Sequence, residues 1–131
     1  MDKRTDTDFC TFITHEVVTV SPGDSVCQIA RLMAERNIGA VVVTENEKVA
    51  GIISERDLAR KVIAEGRDPD GTRAADIMTG DVRCVQYRES LVNIIGIMRS
   101  APFRHLPVLD GDKLIGIISN RDLLYFASQK G

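Results

Sequence analysis

The chain has 131 residues and is 44% hydrophobic, which suffices for one packed core or for two small units sharing an interface in one compact body. Its 17 basic and 19 acidic residues nearly cancel and form no basic block, so the electrostatic footprint of a nucleic-acid binder or of a protein attached to acidic membranes is absent. Three widely spaced cysteines, Cys10, Cys27 and Cys84, have no Cys-x-x-Cys pairing and only His15 and His105 as co-ligands, which argues against a disulfide framework or zinc site and for a reducing cytoplasm.

From the N-terminus, residues 1–9 are polar and are expected to form a flexible tail. They contain no apolar segment of signal-peptide length, and no later stretch approaches the roughly 20 apolar residues that span a bilayer, so an unprocessed cytoplasmic protein is expected. A β-rich run at 17–20 leads to a segment in which Val26, Ile29, Ala30 and Met33 fall at i, i+3, i+4 and i+7. That spacing predicts a helix with these four residues toward the core, Met33 serving as filler and not as a metal ligand. Cys27 and Leu32 add apolar surface on another side. Strands at 40–44 and 49–53, joined by residues 45–48, read as a hairpin. Ser54 stands where a helix N-cap belongs, and good helix formers follow to Glu65. Residues 66–72 are rich in Gly, Asp and Pro and read as linker, with a short helix expected at 73–78.

The same order then recurs. A strand is expected at 82–85, and a helix follows in which Leu91, Ile94, Ile95 and Met98 face the core while Val92 and Ile97 give it a second apolar side. Strands at 105–109 and 114–118 form a hairpin, Ser119 is the cap, and helix formers run to Gln129. Sliding the sequence by 65 residues aligns 12–63 with 77–128 without a gap. Thr14 meets Thr79, Val17 meets Val82 and Met33 meets Met98. Between 51–58 and 116–123, seven of eight positions agree. The chain is therefore read as two tandem β-α-β-β-α repeats of the α/β (α+β) class, repeat one at 10–65, a linker at 66–76 and repeat two at 77–131.

Each repeat ends in Gly-hydrophobic-hydrophobic-Ser-x-Arg-Asp, where a strand delivers the chain to a helix N-terminus. Unpaired N–H groups and the positive end of the helix dipole suit a phosphate there. Asp57 and Asp122 stand where a carboxylate can accept both hydroxyls of a ribose, and Arg56 and Arg121 can meet phosphate charge. Ser-x-x-Asp before an apolar helix is equally a capping box, in which hydroxyl and acid satisfy the helix's own amides. Local sequence leaves both readings open.

The twofold repeat with Thr-hydrophobic starts and Gly-h-h-Ser-x-x-Asp ends resembles the CBS-domain family, named for cystathionine β-synthase, in which a tandem pair forms a Bateman module. The resemblance spans residues 12–128. It implies two repeats packed by their sheets with pseudo-twofold symmetry, and clefts that take AMP, ADP, ATP or a related adenosyl ligand. Carried over by position, the preferred site uses Asp122 for the ribose, Ser119, Arg121, Arg104 and His105 near phosphate, and Thr14, Val17 and Ile38 around adenine. A pseudo-symmetric site uses Asp57, Ser54 and Arg56 with Thr79, Val82 and Phe103. There Gly39 and Ala40 replace Arg104 and His105, and a weaker phosphate grip is expected.

No Gly-x-Ser-x-Gly, Walker loop or His-Glu-x-x-His occurs, so neither catalysis nor a required cofactor is expected. The expected function is a regulatory adenine-nucleotide module, an energy or metabolite sensor acting through a homodimer or a protein partner. The alternative is a ligand-free structural or interaction module.

Overall fold

The structure, a computed structural model, describes residues 17–100 and 104–121. It divides into two units, one formed by Val18–Val82 and the other by the described residues from Arg83 onward with Val17. Each has a three-stranded sheet of the same topology. In the first unit β1 (Thr19–Val20) lies parallel to β2 (Ala40–Glu45), which pairs antiparallel with β3 (Lys48–Ser54). In the second, β4 (Val85–Gln86), β5 (His105–Asp110) and β6 (Lys113–Ser119) repeat that order. Even the irregularities coincide, since the ladder slips after Val43 in one sheet and after Val108 in the other.

A parallel pair needs a crossover, supplied by α1 (Val26–Arg36) in the first unit. Ser25 caps it, its Oγ accepting from the Gln28 N–H at 3.2 Å. Two further orphan amides of the helix start are satisfied by the linker: Val26 N–H donates to the Thr72 carbonyl at 2.9 Å and Cys27 N–H to the Pro69 carbonyl at 3.1 Å. At the other end Asn37 adopts a left-handed φ of 53°, and Ile38 N–H returns to the Met33 carbonyl at 3.0 Å, which closes the last turn. Residues 66–72 are thus built into the first unit. They deliver the chain to a four-residue helix, α3 (Ala74–Ile77), whose Ala74 and Ile77 join the first core.

Helix α2 begins at Glu55–Asp57 and runs on as a π-helical stretch, Leu58–Ile63, with Ala64 N–H bonded five residues back to Ala59. Gly66, at φ 66°, ends it. The second unit's crossover is α4 (Leu91–Ser100). Residues 120 and 121 begin a helix, and its predicted extent to Gln129 lies outside the described residues.

The first core gathers Val26, Ile29 and Met33 from α1, Val41 and Val43 from β2, and Ile53 from β3. Leu106, Val108 and Ile118 with Ile94 form the counterpart. Val41–Val43 are buried in succession, as expected of a β-branched strand covered on both faces.

The side chains depart from the periodicity in two places. Ala30 is exposed, standing at the edge of the Val26–Ile29–Met33 stripe, where it lines an open apolar groove. On α4 only Val92 of the predicted second apolar side is exposed, at 78%. Ile97 packs on the core, being about 60° from Ile94 around the helix whereas Val92 is about 160° away. The first strand of each unit is also shorter than predicted, Thr19–Val20 in one and Val85–Gln86 in the other.

Candidate functional site

The end of β3 places Ser54 with extended backbone (φ −112°, ψ 167°) at the start of α2. Its Oγ accepts from Asp57 N–H at 3.2 Å. Asp57 answers through Oδ2, which accepts from Ser54 N–H at 2.8 Å and lies 3.2 Å from Ser54 Oγ. The capping box is therefore complete. The second carboxylate oxygen, Oδ1, is 3.2 Å from Lys61 Nζ, one helical turn on. Lys61 in turn donates to the Ile77 carbonyl at 2.9 Å, so the first-repeat acid is tied to the end of α3.

Directly after α3 the chain runs beside β3. Thr79 and Ile52 exchange both backbone hydrogen bonds, at 3.0 and 3.1 Å, two residues before Ser54. Gly51 permits this approach, since a Cβ there would lie 2.6 Å from Met78 Sδ. The structure thus brings Ser54, Asp57 and Thr79 to one end of the first sheet. Arg56 is exposed there and Val82, at the end of the unit, is partly exposed. Glu55 N–H donates to the Gly39 carbonyl at 3.0 Å, and the Glu55 carboxylate folds over Gly39, with Oε1 3.2 Å from where a Cβ on that glycine would stand.

The second-repeat tip has the same frame. Asn120 N–H donates to the Arg104 carbonyl at 2.8 Å, matching the Glu55–Gly39 bond. His105 is paired with Ser119 across the β5–β6 ladder, so Arg104, His105, Ser119 and Arg121 gather within a few residues of the helix start. Arg104 and Arg121 are exposed, while His105, Ser119 and Val17 are partly buried. Ile38 belongs to the first unit, where it packs on the core. Asp122, Thr14 and Phe103 lie outside the described residues.

Sequence reasoning passed over Lys61 and Glu55. The i, i+4 spacing of Asp57 and Lys61 was the available signal, but it did not reveal that both ends of the pair are anchored. Among the described residues no three His, Cys, Asp or Glu side chains are grouped to hold a metal ion. Burial pushes the Cys84 thiol upward from its ordinary pKa. No helix among the described residues is long and apolar enough to cross a membrane.

An apolar groove of about 380 Å³ lies between α1 and the π-helical stretch. Cys27, Ala30, Ala34, Leu58, Val62 and Ile63 line it, and Ile63 is 71% exposed.

Fold and tips define a class: tandem repeats in which strand, helix and hairpin recur, each hairpin ending in a serine at the start of a helix. The chain belongs to the CBS domain family, which it matches at residues 8–64 and again at 74–128. It is 40% identical over 111 residues to an uncharacterised protein of Methanopyrus kandleri, covering 83% of this chain but 57% of that relative's length. A solved protein with CBS domains from Burkholderia ambifaria is similar at 43% identity and a TM-score of 0.81, over 86% of this chain and 83% of that one. A hexameric CBS-CP12 protein from bloom-forming cyanobacteria is similar at 30% identity and a TM-score of 0.81, over 88% of this chain and 68% of that one.

Proposed function

We propose that this CBS pair is a regulatory sensor of adenine nucleotides, binding AMP, ADP or ATP at the second-repeat tip and catalysing no reaction. Asp122 accepts the ribose hydroxyls, and Ser119, Arg121, Arg104 and His105 serve the phosphate. The supporting observation is the cluster at that tip: two arginines and a histidine stand within one ladder step of a helix N-terminus, a combination that favours an anion. Binding acts on self-association or on a protein partner in a reducing, cytoplasmic setting. The apolar groove with exposed Ile63 supports a contact between copies, and the cyanobacterial relative is a hexamer.

A second reading, a ligand-free interaction module, draws on the complete capping box at Asp57. Titration calorimetry with AMP, ATP and NAD separates the two. The sensor reading expects heat with an adenine nucleotide on the natural chain and none with Asp122→Ala, which loses no more stability than a helix cap supplies, roughly 0.5–2 kcal/mol. Equal binding by both proteins, or none by either, favours the interaction module.

A further inference from the structure

The two tips share a backbone and differ in chemistry. The bond from residue 55 to residue 39 recurs from residue 120 to residue 104, at 3.0 and 2.8 Å. Yet across the 65-residue offset Gly39 corresponds to Arg104, Glu55 to Asn120 and Lys61 to Phe126.

Counting acceptors shows what these exchanges do in repeat one. A carboxylate has about four lone-pair positions. On Asp57, Oδ2 serves Ser54 N–H and Ser54 Oγ, and Oδ1 faces Lys61 Nζ at 3.2 Å. One position is left, whereas a ribose diol needs two. Lys61 is itself committed, to Asp57 and to the Ile77 carbonyl at 2.9 Å, so its charge serves the fold. Beside it, the Glu55 carboxylate lies over Gly39, the position that carries an arginine in repeat two. A negative charge there opposes a phosphate.

We infer that the first-repeat tip is closed to phosphorylated nucleosides, that Lys61 and Glu55 close it, and that the chain takes one adenine nucleotide, at the second-repeat tip. The inference rests on the sensor reading above. Lys61 is a positioning residue, acting through Asp57, and Glu55 acts by its charge.

The test gives repeat one the residues of repeat two: Gly39→Arg, Glu55→Asn and Lys61→Phe together. Gly39 does not occupy left-handed backbone, so it accepts a side chain once Glu55 is gone. Equilibrium dialysis with AMP should give one nucleotide per natural chain and two per triple variant. Two on the natural chain, or one on a triple variant that still melts cooperatively, overturns the inference and leaves the sensor reading standing. No AMP on the natural chain overturns both. Should the variant not fold, amide NMR of the natural chain decides: AMP should shift Ser119, Asn120 and Arg121 and leave Glu55, Arg56 and Asp57 in place, and movement of the latter three refutes the closure.

Discussion

Removing the first-repeat cap one side chain at a time tests whether Ser54 and Asp57 act as a unit. Ser54→Ala deletes the acceptor for Asp57 N–H and the hydroxyl contact to Oδ2. For a partly buried cap this costs about 1 kcal/mol. Asp57→Ala also removes the charge-assisted bond from Ser54 N–H, worth about 1.5 kcal/mol, and the ion pair with Lys61, whose side chain is 40% exposed and which adds only about 0.3 kcal/mol. With the Ser54 Oγ contact to Oδ2 the total is about 2 kcal/mol, while Ser54 Oγ still accepts from the N–H of residue 57. Since the two variants share only the contact between Ser54 Oγ and Asp57 Oδ2, worth about 0.5 kcal/mol, the double variant should cost about 2.5 kcal/mol, a coupling of about 0.5 kcal/mol. Urea unfolding followed by circular dichroism reads this directly. With a slope of about 1.5 kcal/mol per molar, the midpoint falls by about 0.7 M for Ser54→Ala and about 1.3 M for Asp57→Ala. Single losses below about 0.3 kcal/mol, or a double variant no less stable than Asp57→Ala alone, would refute the reciprocal box.

Three further outcomes follow from the local geometry. Gly51→Ala sets a Cβ 2.6 Å from Met78 Sδ and should cost about 1–3 kcal/mol by overpacking, largely recovered in Gly51→Ala/Met78→Ala when both are compared by thermal melting. Glu47 sits at φ 65° in the β2–β3 turn, so Glu47→Gly should stabilise the chain by about 1 kcal/mol in the same assay; no gain would mean that the turn is not strained. Glu89 is held below the usual carboxylate range, first by the Asn93 side-chain hydrogen bond and then by Ser90 N–H. Its contribution is present above the ordinary value of about 4.3 and is lost as pH falls through the lowered one, and Asn93→Ala should return the NMR titration of Glu89 toward that ordinary value.

Much of the fold was legible because the duplicated pattern states each element twice. The order strand, helix and hairpin read from the sequence is the order found in both repeats, with the capped helix following in the first, and the run Val41–Val43 falls in the strand read at 40–44. What escaped depended on three-dimensional neighbours. Ala30 matched the helical period, yet the groove beside it decided its exposure. The Gly- and Asp-rich stretch after Gly66 looked like a passive connection, and nothing in its composition disclosed that Pro69 and Thr72 cap α1. At the tips, Ser54 and Asp57 were found by motif, whereas the engagement of Asp57 by Lys61 depends on α3 packing close enough for Ile77 to hold the ammonium.

The most direct measurement is mass spectrometry of the small molecules released when the freshly purified natural chain and Asp122→Ala are denatured. AMP, ADP or ATP recovered from the natural chain and absent from the variant is the predicted result. Equal recovery from both, or no adenine compound from the natural chain even after incubation with AMP, would contradict it.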